Sequence, residues 1–367
     1  MKPSRRRSTD MALLGAGLGA LAVCLVTGLV AALGLANARL AGGPGTPTAP
    51  PSLTPPDGTA TAPTPARPPA DTAAPGPAPT ASPAPTTPAL PLTALPDPPR
   101  GRIVYTCFDG QDDELCLLSL DDGQITRLTD NAVGDWYASL SPDGGALVFA
   151  RQVRGSNYEI FRMNTDGSGV TPLTQNGAGN FAPEYSPDGA RIVFTSSQSG
   201  VQQVWLMDAD GGNPIQLTTG RESIDPTWSP DGRQIAFASN RGGTRQLWVM
   251  DAPAPGEPVG AAPRQVTDLP DMGGRSSFAA DGAALTFYQG LRGARHIFTI
   301  GLDGTGLRQL TADSDNAGPC FSPDGNWIAF ASVRDGNNEL YIIRPDGSGL
   351  TRLTQNVTAD YQPRWGR

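Results

Sequence analysis

Six apolar triplets recur along the chain: IVY at 103, LVF at 147, IVF at 192, IAF at 235, LTF at 285 and IAF at 328, spaced by 44, 45, 43, 50 and 43 residues. A period near 44 built from short segments restricts the chain to a repeat architecture. The segments are too short for paired helices, and turn signals recur between them every 8 to 12 residues, so the repeat reads as a β-propeller blade. Each unit holds four strands: one ending in P-x-W-S, one like IAFAS, one like LYIIR and one like TRLT.

The joints carry turn chemistry. In SPDG, at 141, 186, 229 and 322, Ser opens the turn, Pro presets φ, and Gly accepts a positive φ at the fourth position. DGSG at 346 to 349 serves the next corner. The Asp residues of these motifs therefore organise backbone and are not expected to do chemistry. The first unit starts at RIVYT without a P-x-W strand, and the chain finishes on DYQPRWGR, which is such a strand with no unit after it. Residues 360–365 should pair with the first unit and close an all-β ring of six four-stranded blades, leaving no open sheet edge.

The pattern SPDG..IAF.S.R.G...LY.....DGSG..RLT resembles the repeat of the TolB-type propellers, relatives of the WD-repeat proteins that lack the Trp-Asp pair. The resemblance covers residues 101–367. It implies a protein-binding module of an envelope complex. The separate α/β domain that precedes the TolB propeller has no counterpart here.

What precedes residue 101 points to the cell envelope. Lys2, Arg5, Arg6 and Arg7 form a basic tail (1–10), followed by 26 uncharged residues, MALLGAGLGALAVCLVTGLVAALGLA, long enough for a membrane-spanning helix (11–37). The positive-inside rule keeps the tail cytoplasmic and the remainder outside. The alternative is secretion after cleavage near Ala38, at the small-residue run ANA. Residues 38–100 are Pro, Thr and Ala with few large apolar side chains, a disordered stalk that favours extended polyproline-II conformations of about 3.1 Å per residue.

Charge and inventory narrow the function. Beyond residue 100 the chain carries 20 basic and 31 acidic side chains, a balance that repels phosphate backbones and argues against a nucleic-acid partner. The sequence has one histidine, His296, and no G-x-S-x-G elbow. His296 aligns with Glu114, Glu159, Gln203, Gln246 and Glu339 at the start of the third strand and reads as a solvated strand end. DADGGN at 208–213 lacks the sixth-position Gly of a calcium loop and has Thr219 where a Glu should close it. No catalytic residue, metal or cofactor is therefore expected. The competing reading is a carbohydrate lyase or hydrolase using carboxylates in the propeller funnel.

Cys107 and Cys116 flank the first unit's hairpin loop, and would pair in an oxidising compartment if the register brings their Cα atoms within about 7 Å. Cys320 reads as a buried free thiol. A binding surface is expected at one mouth of the central channel, where the inner strands begin. Three units place a polar residue before an aromatic there: Asp135-Trp136, Asn180-Phe181 and Asp360-Tyr361. Arg154, Arg241, Arg292 and Arg334 lie in hairpins on the same face, and Arg154 and Arg334 join the expected site. The partner class is an extracytoplasmic protein, peptide or glycan.

Overall fold

A computed structural model describes residue 95 and residues 97–155, 157–254 and 262–366. The expected membrane segment, with Cys24, and nearly all of the Pro-rich stretch lie outside these residues. The described chain forms six four-stranded antiparallel sheets. Blade one takes its inner strand, Asp360–Gly366, from the end of the sequence and pairs it with Arg102–Phe108, as the repeat count requires. Blades two to six start at Asp135, Asn180, Ser223, Ser277 and Asn316.

The repeated apolar triplets form the second strand of each blade and are buried on both faces. Alternate side chains serve different neighbours. Val104 packs toward blade two, whereas Ile103 and Tyr105 pack toward blade six. The result is six apolar clusters, one at each interface between adjacent blades. Cys320 is a buried free thiol in the cluster between blades six and one, and burial pushes its pKa up.

The SPDG turns close through their own side chains. The Ser141 hydroxyl donates to Asp143 at 2.6 Å and accepts the Ala146 N–H at 2.9 Å, while Gly144 takes φ 68°. The same bonds recur at Ser186, Ser229 and Ser322. This face also receives the incoming chain: the Trp327 indole donates to the Asp97 carbonyl at 3.2 Å, and that of Trp365 to the Arg100 carbonyl at 2.8 Å.

The opposite face is braced by a buried polar row. The Thr of each R-x-T or similar outer segment accepts the N–H of the residue after Glu114, Glu159, Gln203, Gln246, His296 or Glu339, at 2.9 Å in all six blades. Thr218, Thr267 and Thr354 then donate to Gln203, Gln246 and Glu339 at 2.6 to 2.7 Å. His296, read from the sequence as a solvated strand end, belongs to a largely buried row: Glu114, Glu159, Gln203, Gln246 and Glu339 are all buried. A loop N–H donates to each of Glu114, Glu159, Gln246 and Glu339, and Gln203 donates to the carbonyls of Gly220 and Arg221. His296 is half-buried, with Nδ1 unpartnered among the described residues.

Cys107 and Cys116 are bonded, with Cα atoms 5.9 Å apart. They sit diagonally across the hairpin, Cys107 opposite Glu114 and Cys116 opposite Tyr105.

Two consequences can be measured. Deleting residues 360–367 removes the inner strand of blade one and exposes two edges, so the truncated chain should aggregate and lose its cooperative thermal transition. Melting and solubility equal to the parent would mean that closure does not rest on this strand. Asp360 supplies the second. Burial, and then the Glu339 carboxylate, push its pKa up to about 7 from 3.8. A carboxyl raised in this way holds a proton that the unfolded chain has released. Its contribution to stability is full below about pH 4 and is lost as the pH rises through about 7. Asn180 occupies the equivalent position against Glu159, donating at 2.8 Å. Asp360→Asn should therefore stabilise the ring at pH 8, by on the order of 2 kcal/mol, with the gain shrinking at pH 5. A gain that does not change between pH 5 and pH 8 would show that Asp360 titrates normally.

Candidate functional site: an aromatic cleft at the channel mouth

The mouth is built by a backbone irregularity repeated in every blade. The third residue of each inner strand region has positive φ: Tyr137 (57°), Ala182 (51°), Asp225 (53°), Arg275 (33°), Gly318 (63°) and Gln362 (55°). In five blades the ladder slips at this point, as a β-bulge does. Left-handed φ is unfavourable for non-glycine residues, so it persists only where the surroundings enforce it. Here neighbouring blades supply the partners. The Tyr137 N–H donates to Gln362 Oε1 at 3.1 Å, the Asp225 N–H to Thr195 Oγ1 at 3.0 Å, and the Arg275 N–H to Asp225 Oδ2 at 3.1 Å.

The same turn sends these side chains to the channel axis. The guanidinium of Arg275, from blade five, lies 5.2 Å from the ring centre of Tyr137, from blade two on the other side of the ring. Burial, helped by Arg364, pushes the Arg275 pKa down to about 10, so it remains a cation at neutral pH. Burial pushes Asp225 up, against the pull of Arg275. Arg275 Nε and Nη1 and Asp225 Oδ1 have no hydrogen-bond partner among the described residues. This waist closes the floor of the mouth.

Above it, Trp136, Tyr137, Tyr158, Phe181, Gln202, Tyr361 and Gln362 line a cleft of about 420 Å³ over blades one to three. All five rings are half-buried. Asp113, on blade one, holds two of them: Oδ2 accepts the Trp136 indole N–H at 2.8 Å and Oδ1 accepts the Tyr361 hydroxyl. Trp136 meets Tyr158 edge to face, 5.2 Å between centres at 84°, and Tyr137 meets Phe181 at 5.7 Å. Gly134 makes room for the indole, since a Cβ there would lie 1.9 Å from a ring atom.

The sequence pairs divide along the pleat, successive residues pointing opposite ways. Trp136, Phe181 and Tyr361 enter the cleft, whereas Asp135, Asn180 and Asp360 turn into the buried polar row. Asp135 takes Arg151 at 2.7 and 2.8 Å, Asn180 donates to Glu159, and Asp360 accepts from Asn356 at 2.7 Å. Arg154 is exposed at the hairpin tip of blade two. Arg334 is tied to Ser332 at 3.0 Å and Asn316 at 3.1 Å and lies over the Tyr341 ring at 4.9 Å, on blade six. Neither arginine lines the cleft. Arg241 repeats the Arg334 arrangement on blade four. The carboxylates Asp109, Glu114 and Asp130 lie close enough together to hold a cation, and Arg127 occupies the centre of that group at 2.7, 3.4 and 3.0 Å.

Sequence reading missed Tyr137, Tyr158, Gln202, Gln362 and Asp113. Tyr137 and Gln362 reach the cleft through a φ that the sequence does not display. Tyr158, Gln202 and Asp113 arrive from the second hairpins of three blades. One signal was available: these hairpins end at the same face as the inner-strand starts.

The TolB β-propeller domain model matches residues 177–258 and 258–367. No curated protein sequence matches the chain. Among solved structures, TolB from Acinetobacter baumannii superposes with a TM-score of 0.62 at 23% identity, over 72% of this chain and 66% of that one, so the match leaves about a third of that protein uncovered. A putative TolB from Agrobacterium tumefaciens gives 0.56 at 18% identity over 72% and 91% of the two chains. A chain of a nidogen/laminin complex gives 0.56 at 12% over 71% and 97%. At these identities the likeness concerns the fold. The family match, in contrast, spans more than half of the chain and includes three of the four SPDG turns and the closing strand: the chain belongs to the TolB β-propeller domain family.

Proposed function

We propose that this propeller is a non-catalytic binding module, tethered outside the membrane by its N-terminal segment, that docks a segment of a partner protein in the cleft over blades one to three. The convergence of half-exposed rings from three blades into one cleft carries this reading. Aromatic side chains in such a cleft supply much of the binding energy of small interfaces. Apolar side chains stand on the same face: Val153 is 47% exposed, Val201 45% and Val357 99%. A protein segment gains by covering them, whereas the hydroxyls of a sugar chain need polar partners. Residues Asp97 and Arg100 join the propeller on the SPDG face, opposite the cleft.

For the catalytic alternative, no carboxylate lines the cleft among the described residues. Both oxygens of Asp113 and of Asp135 already accept hydrogen bonds from protein donors.

A photo-crosslinking amino acid at Gln202 should capture a discrete partner in intact cells, and Trp136→Ala or Tyr361→Ala should abolish the capture. These rings are half-exposed, so the variants should melt close to the parent. Trp327→Ala, at a position 1% exposed, should cost about 3 to 5 kcal/mol. Capture that persists in both ring variants would refute the cleft as the docking site. For the orientation, protease added to intact cells should cut within the Pro-rich stretch and release the propeller. Release only after lysis would reverse the topology.

A further inference from the structure

The chemistry of the cleft specifies its occupant further. Trp136 and Tyr158 stand at 84° to one another and form a corner, and Tyr361 adds a third wall. The faces of such rings are negative and attract cations, tryptophan most strongly. Asp113 adds a carboxylate charge at the edges of two of the walls while fixing both rings in place.

That charge has no basic partner among the described residues. Asp109, Asp135 and Asp315 are paired with Arg127, Arg151 and Arg295 at 2.7, 2.7 and 2.6 Å. Asp113 accepts only from an indole and a phenol. Among the described residues, no lysine or arginine lines the cleft.

Elsewhere in the ring, arginines lie over aromatic rings, and Phe237, Tyr341 and Trp327 are buried beneath them. Arg241 lies over Phe237 and Trp248 at 5.0 and 5.4 Å, Arg334 over Tyr341 at 4.9 Å, and Arg344 over Trp327 at 4.3 Å. Tyr137, on the cleft floor, is already covered by Arg275. Trp136, Tyr158 and Tyr361 have no such cation from the described chain. Gln202 adds an amide at the cleft wall whose side chain makes no hydrogen bond to the described residues, able to accept from an N–H group.

We propose that the cleft binds an arginine side chain of the partner segment, its guanidinium stacked on Trp136 and Tyr361 with Asp113 at their edges. This rests on the cleft being the docking site. A flat guanidinium suits ring walls better than a compact ammonium, and it keeps N–H donors at its edge for Gln202. The excess of acidic groups on residues 101–367 would draw a basic segment toward the propeller.

The test uses the full chain in detergent, labelled with 5-fluorotryptophan. Its six tryptophans give separate fluorine resonances, with Trp136 assigned by Trp136→Phe. N-acetyl-arginine amide should shift the Trp136 line saturably, with a Kd at least about fivefold below that of the neutral isostere N-acetyl-citrulline amide. Asp113→Asn should bring the two affinities together, with the other five lines reporting that the variant is folded. Equal affinities in the parent, or an unmoved Trp136 line, would overturn the proposal. If this happens while Gln202 crosslinking still depends on Trp136, the docking site stands and the arginine falls. If crosslinking is also indifferent to Trp136, the cleft itself is not the docking site.

Discussion

A four-stranded blade of this sequence cannot bury its own second strand. Triplets such as Leu147-Val148-Phe149 and Ile328-Ala329-Phe330 are apolar on both faces of the sheet, and every one of these side chains is essentially inaccessible. Each face needs a neighbouring blade, and so does that neighbour, until the last interface is made between blades six and one. Burial of apolar surface thus requires closure. The inner strand of blade one comes from the far end of the chain for this reason, and Ile103 meets Cys320 and Trp327 in one cluster although more than two hundred residues separate it from them.

Closure also makes the site. Packing six inner strands around one axis leaves little room, and the positive φ at Tyr137, Asp225, Arg275 and Gln362 is held by bonds from one blade to the next. The same residues stopper the channel at its waist, so the mouth above becomes a cleft with a floor. The buried row of Glu and Gln with its threonines fixes the loops around that mouth. Asp135, Asn180 and Asp360 belong to this frame, and Trp136, Phe181 and Tyr361, one step along each strand, are what the frame presents.

The sequence was most legible where structure is local. SPDG is a turn in any context, because its hydroxyl, ring and glycine act within four residues. Strand order and closure followed from counting units. The polar row was not recognised as buried, because His296 at a strand end looks solvent-facing when taken alone. Its partner was nonetheless spaced regularly: Thr129, Thr174, Thr218, Thr311 and Thr354 each follow their row residue by 15 positions.

The sequence by itself determined the repeat, the blade count, the closing strand and which three aromatics begin the inner strands. These depend on periodicity, turn chemistry and the two-residue alternation of a strand, all of which are short-range. Only the tertiary structure decided that Tyr137 and Gln362 turn inward, that Tyr158 stands at right angles to Trp136, and that Asp113 holds Trp136 and Tyr361 together. Those outcomes depend on distances across the ring and between blades, which exist only once six interfaces have closed.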